Sequence, residues 1–149
     1  MKVGSKGRYA VIAIVDVARH SGSGAVPLAD VASRQRISLS YLEQLFAMLR
    51  RSGIVTSARG PGGGYRLSRP ANETSVREIF EAVDETSAHG VTDTSAQDRE
   101  GSAVTADLWE ELEEHIRQFL DQVSVADVLA GHVRQRPNGS ELSRTAEVS

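Results

Sequence analysis

SLSYLEQLFAMLRRSGIVTSARGPGGGY, residues 38–65, is the stretch that decides the fold. Ser38 stands where a helix start needs an acceptor for a first-turn backbone N–H that has no partner inside the helix, so the spacing predicts a helix from there. Leu42, Leu45, Phe46 and Leu49 recur at helical spacing and form one apolar stripe, while Ser40, Tyr41, Glu43, Gln44 and Arg51 lie off it. One face packs and the other is free to read a groove. Arg50 and Arg51 place positive charge at the C-terminal end of the dipole, and Gly53 tolerates the left-handed conformation that ends a helix. Ile54-Val55-Thr56 then reads as a strand, and residues 65–67 as its partner. Between them, Arg59-Gly-Pro-Gly-Gly-Gly-Tyr65 cannot continue a helix. It can turn tightly and approach another backbone closely, here that of a phosphate chain. The bland alternative is a plain hairpin turn. A nucleotide-phosphate loop is set aside, because GPGGG lacks the GxxxxGK[ST] spacing and follows helix and strand in the wrong order for a dinucleotide fold.

Upstream, Lys2, Lys6 and Arg8 make a basic lead-in to a helix carrying Tyr9, Ile12 and Val15 that runs to about His20. Ser21-Gly-Ser-Gly24 is a loop. Pro27 then stands near the first turn of a helix from Leu28 to about Gln35, where a missing N–H does no harm. Arg36-Ile37 links it to the Ser38 helix. The order helix, helix, tight turn, helix, strand, glycine-rich tip, strand is that of a winged helix-turn-helix.

Downstream, Ser75 and Glu78 have capping-box spacing ahead of a helix through Ile79, Phe80 and Val83. Residues 85–102 are rich in Thr, Ser, Gly, Asp and Ala without periodicity, and the expectation is a mobile loop long enough to carry function. Trp109, Leu112, Ile116, Phe119 and Val123 then recur at alternating steps of three and four, a coiled-coil-like stripe read as the contact with a second copy. Ser124 and Asp127 cap a last short helix to about Ala130, and the tail from Arg134 is polar and expected to be disordered. The fold class is therefore mainly α with a small β wing, followed by a long C-terminal dimerisation helix. Its expected divisions are a DNA-binding domain at 1–84, a sensor loop at 85–105, the dimerisation and terminal helices at 106–131, and the tail at 132–149.

Charge sharpens this reading. The net charge of -3 conceals 11 Lys/Arg against 3 Asp/Glu in residues 1–69, and 6 against 17 in residues 70–149. A basic half beside an acidic one fits a polyanion-binding module joined to a part that avoids nucleic acid. The longest apolar runs are too short for a membrane span and the N-terminus lacks a signal-like stretch, so an intracellular, cytoplasmic protein without membrane contact is expected. There is no cysteine, hence no disulfide and no thiolate metal site. His89, His115 and His132 have no cysteine beside them, and His115 sits among Glu110, Glu111, Glu113 and Glu114; all three are read as solvated rather than metal-binding. No nucleophile–base pair or paired-carboxylate pocket points to an enzyme.

The motifs SKGRYAV, VPLADVASRQRISLSYLEQLF, LRRSGIV, RGPGGGY and EAVDE together resemble the IscR-like iron–sulfur cluster regulators of the Rrf-two family of winged-helix transcription factors, over residues 1 to about 128. The resemblance implies a homodimer that binds palindromic promoter DNA, repressing a cluster-assembly operon while holding a 2Fe-2S cluster and acting at other promoters without it. It also implies DNA contacts at Ser40, Tyr41, Glu43, Gln44 and Arg59, with the wing at 59–64. Ser38, Arg51, Gly60, Gly62 and Gly63 complete the candidate interface. Gln44 can pair with an adenine edge or another base edge, Arg59 can bond guanine or enter the minor groove, Glu43 can accept only from a cytosine amino group or else repel, and Ser38, Ser40 and Tyr41 are read as phosphate or shape contacts.

One departure is sharp. Cluster-binding members carry three cysteines in the loop and a histidine just before the tryptophan, whereas residues 87–109 here read SAHGVTDTSAQDREGSAVTADLW. Ala88, Ala96 and Ala103 lie near the expected cysteines, and Ala106 takes the place of the histidine. This chain is expected to hold no cofactor; the 2Fe-2S cluster would return only with the cysteines. Deliberate exchange of cysteine for alanine and natural loss of the sensor both fit, as does a second functional class, a regulator of the same fold that senses a metabolite or partner protein.

Overall fold

The computed structural model describes residues 4–58, 63–84 and 104–134. Helix α1 (Ser5–His20) turns Ala10, Ala13, Ile14 and Val17 inward at i, i+3, i+4 and i+7 spacing, all fully buried. A Cβ on Gly7 would stand 2.2 Å from the Phe80 ring, so glycine is what admits Phe80 against α1. The Ser21–Gly24 loop is a short 3-10 turn, Ser21–Ser23, and α2 (Leu28–Gln35) follows with Pro27 at its N-cap.

Helix α3 (Leu39–Arg51) starts where the sequence places it, with the Ser38 Oγ accepting from the Tyr41 N–H at 3.3 Å. Its stripe of Leu42, Leu45, Phe46 and Leu49 is fully buried. Gly53 ends it with φ +79°. The wing strands are β1 (Val55–Ala58) and β2 (Gly64–Leu67), antiparallel with Val55 opposite Leu67 and Ala58 opposite Gly64. The first strand starts one residue later than its β-branched run predicts, because Ile54 is spent on burial and a backbone bond to Leu49. The wing is also paired on its other edge: Val26 N donates to Tyr65 O at 2.8 Å and Tyr65 N donates to Val26 O at 2.9 Å.

After a 3-10 turn (Ala71–Glu73), α4 (Val76–Ala82) begins in the predicted capping box, with Glu78 N donating to Ser75 Oγ and Ser75 N to Glu78 Oε2. Then come α5 (Ala106–Gln122) and α6 (Val125–Ala130), the latter capped by Ser124 and Asp127 in the same way. The two caps are joined backbone to backbone: Val76 N donates to Val123 O at 2.8 Å and Val125 N to Thr74 O at 2.9 Å. Val125 lies in the main core with α1, α2 and α3, and Val76, Phe80 and Val123 form a second, smaller cluster. The C-terminal helices therefore share a core with the N-terminal module.

A buried carboxylate fastens α1 to α2. Asp16 is 2% exposed and receives Arg34 Nε at 3.0 Å, Arg34 Nη2 at 2.6 Å and Gln35 Nε2 at 2.8 Å. Burial pushes the carboxyl up, but the bonds from Arg34 and Gln35 and the nearby charges of Arg34 and His20 more than reverse this and hold it below the usual aspartate range. A folded value below the unfolded value of about 4 means that the stabilisation is complete above that pH and is lost as pH falls through the folded value. Asp16→Ala is expected to cost about 1.5–3 kcal/mol at neutral pH, the worth of hydrogen bonds to a charged group. Urea unfolding of both proteins between pH 7 and pH 2 checks this: the gap must narrow below about pH 4, and a pH-independent gap excludes the carboxylate as its cause.

Candidate nucleic-acid interface

The buried stripe of α3 fixes its roll and turns the opposite face outward. Ser38, Ser40, Glu43, Gln44 and Arg51 are all exposed. At the entry end the Ser38 and Ser40 hydroxyls lie 3.0 Å apart, so two hydroxyls and a first-turn amide form one polar cluster. Tyr41 differs from the expectation of a free contact. It is half-buried, with its ring edge-on to Tyr9 at 5.8 Å between centroids and 90° between planes. That geometry is favoured by the ring quadrupoles and commits much of the side chain to packing between α1 and α3.

The far end of α3 is tied to the wing. Arg50 Nη1 donates to Ser57 Oγ at 3.4 Å, and Phe46 meets the Tyr65 ring at 5.0 Å. Arg66 stands exposed on β2 opposite Thr56. Of the wing residues expected from the sequence, Gly63 is described and half-buried, while Arg59, Gly60 and Gly62 lie outside the described residues. The geometry adds Leu39, 42% exposed in the first turn of α3, to the outward face. An apolar side chain there can meet a thymine methyl, alongside the adenine, cytosine and phosphate chemistry of Gln44, Glu43 and Arg51. Spacing alone does not single out Leu39, which stands three residues before Leu42 and so shares the period of the buried stripe.

Gly64 assigns the glycine loop a second task. A Cβ there would stand 2.2 Å from Val26 O, so the last glycine of GPGGGY approaches the protein's own backbone. The close approach foreseen for a phosphate chain is thus taken, at this one position, by residue 26.

The C-terminal stripe divides. Trp109, Leu112 and Phe119 are exposed at 51%, 48% and 52%, and Ile116 is half-buried, so they form an uncovered apolar face on α5, extended by Leu108. Val123 does not belong to it: it caps α5 and is 3% exposed inside the cluster with Val76 and Phe80. A stripe read from spacing cannot distinguish contact with a partner from contact with the same chain.

No residue present fits a thiolate-held cluster. The chain has no cysteine, and among the described residues no three His, Cys, Asp or Glu side chains come together for a metal. Ala106, first in α5, offers a methyl group where a ligand needs a lone pair. His115 is exposed with Nδ1 2.7 Å from Glu111 O, and His132 is exposed. Ala88, His89, Ala96 and Ala103 lie outside the described residues. Among the described residues no helix is long and apolar enough to cross a membrane.

A helix with a polar outward face, the second of a helix-turn-helix and set beside a two-stranded wing on the basic half of the chain, defines a winged-helix DNA-binding protein. Residues 3–131 match the family described as Rrf2, iron-dependent transcriptional regulator, and the chain belongs to that family. It is 46% identical to the HTH-type transcriptional regulator IscR of Erwinia tasmaniensis, over 97% of this chain and 90% of that one. Among solved structures it resembles T. potens IscR, with a TM-score of 0.71 and 35% identity over 94% of this chain and 95% of that one. It also resembles CymR, the global cysteine regulator of B. subtilis, with a TM-score of 0.67 and 27% identity over 87% and 97%. These relatives are transcriptional regulators, and the fold is used here for regulation and not for catalysis.

Proposed function

We infer that this chain is a cytoplasmic, homodimeric regulator of iron–sulfur cluster biogenesis and related genes that acts in a cluster-free form. The outward face of α3 carries the reading: Glu43 and Gln44 offer a donor and acceptor pattern suited to base edges, on a half of the chain with 11 basic and 3 acidic residues. Ser38, Ser40, Tyr41 and Arg51 serve phosphate and shape contacts, and Arg59 with Gly60, Gly62 and Gly63 is the tip assigned to the backbone or the minor groove. Glu43 acts by selection, because a carboxylate beside phosphates costs affinity wherever no cytosine amino group meets it. The apolar face of α5 supports pairing with a second copy, which places two α3 helices for the two halves of a palindrome. On this reading residues 1–84 bind DNA, 85–105 occupy the place of a sensor, 106–131 join the copies, and 132–149 follow as the tail. Whether binding represses or activates depends on where a promoter places the site.

Arg59→Ala is expected to weaken binding to a cluster-assembly promoter by about 1–3 kcal/mol and to reduce discrimination against a scrambled duplex. Titration by fluorescence anisotropy checks it; an unchanged affinity removes Arg59 from the interface. The likeness to CymR and the lack of cysteine favour a second reading, in which a metabolite or partner protein supplies the signal through the same fold. It requires promoter affinity to change when that molecule is added.

A further inference from the structure

Arg36 is the only non-glycine residue with positive φ among the described residues, at φ +56° and ψ +46°. It ends α2 in the left-handed conformation, two residues ahead of the Ser38 cap of α3. The turn requires that geometry: the Arg36 N–H and the Ile37 N–H both donate to Ala32 O, closing the end of α2. It does not require a side chain. Helices α3 and α6 are followed by glycines in the same left-handed region, Gly53 at φ +79° one residue past the Ser52 cap of α3 and Gly131 at φ +73° as the cap of α6, and glycine adopts this conformation without the clash between Cβ and carbonyl oxygen that an arginine meets. The chain thus uses glycine at two such ends and a long cation at the third.

That cation is uncommitted. Arg34 is held by Asp16, Arg50 by Ser57, Arg69 by Glu78 and Arg117 by Glu114. Arg36 is exposed, and its guanidinium makes no hydrogen bond or ion pair among the described residues. It stands in the turn of the helix-turn-helix, at the end of α3 that leads into the groove, where the sugar-phosphate rail borders the entering helix. We propose that Arg36 is a further DNA contact, a phosphate clamp at the entrance of α3, and that the strained backbone at this turn is tolerated for the sake of that contact.

The proposal rests on the DNA-binding reading, and its test separates the two. Wild type, Arg36→Gly and Arg36→Lys are titrated against a cluster-assembly promoter duplex and a scrambled duplex from 50 to 200 mM salt, with thermal unfolding of each protein in parallel. Arg36→Gly is expected to melt no lower than wild type, since it relieves the left-handed strain. It is expected to bind both duplexes on the order of tenfold more weakly, with the log-affinity against log-salt slope shallower by about 0.9 for each copy of the residue engaged. Arg36→Lys keeps the wild-type slope. An Arg36→Gly protein with wild-type affinity and slope overturns the proposal, as does a loss of affinity with the slope unchanged, which marks a role in shaping the turn. Failure of the wild-type protein to prefer promoter over scrambled DNA defeats the regulator reading instead, while the slopes on either duplex still decide the role of Arg36.

Discussion

Phe46→Ala is expected to lower stability by about 3–5 kcal/mol, the range for deleting a fully enclosed aromatic side chain. At this chain length that corresponds to a drop of roughly 10–20 °C in melting temperature. Phe46 is 0% exposed and belongs to the stripe that seats α3 against α1. Its ring also packs on Tyr65, whose backbone is bonded to Val26 on one side and faces Ser57 on the other. One side chain therefore fixes both the roll of α3 and the position of the wing beside it. Collapse of the surroundings into the vacated space would tilt α3, so promoter affinity should fall even at temperatures where the variant remains folded. Urea unfolding and a duplex titration at 15 °C measure the two effects; a stability loss below about 1 kcal/mol would mean that Phe46 is not the wedge between helix and wing.

The parts of this architecture that the sequence displays are those settled within three or four residues. Ser38 before an apolar stripe, Ser75 with Glu78, and Ser124 with Asp127 each solve the problem of unpaired first-turn amides locally, and all three caps form as spaced. Gly53 ends α3 for an equally local reason. What the spacing does not display depends on residues far apart in the chain. Val26 becomes a third rail for the wing, and Asp16 becomes the anchor for Arg34 and Gln35, only after the chain has folded. Neither residue type announces such a partner.

The candidate site follows the same division. Helical periodicity turns Glu43 and Gln44 outward, and both are exposed in the structure. Tyr41 lies on the same side by spacing, but Tyr9 of α1 claims part of its ring. Arg36 reads only as part of a link, because arginine is a residue for which the left-handed region is unfavourable. Val123 shares the period of Trp109 and Phe119, yet the joined caps of α4 and α6 draw it into the chain's own interior. Periodicity reports which residues share a face and leaves the identity of the covering surface to packing.

Gly64→Ala is expected to destabilise the protein by about 2–4 kcal/mol, from overpacking together with loss of backbone bonds. The added Cβ would lie 2.2 Å from Val26 O, 2.3 Å from Val26 C and 2.6 Å from Pro27 N. All three are backbone atoms, so no side-chain rotation relieves the overlap and the wing must part from the segment before α2. The two bonds between Val26 and Tyr65, at 2.8 and 2.9 Å, are the first to break, and β1 is then the strand that still pairs with β2. The result also decides what this glycine is for. A glycine needed only to admit a phosphate chain would weaken DNA binding on substitution and leave unfolding unchanged. A glycine needed to admit residue 26 lowers the unfolding free energy without DNA present, and the loss of promoter affinity follows from a displaced wing. Stability within about 0.5 kcal/mol of wild type, the scatter of a neutral surface change, would assign Gly64 to the DNA and remove it from the fold.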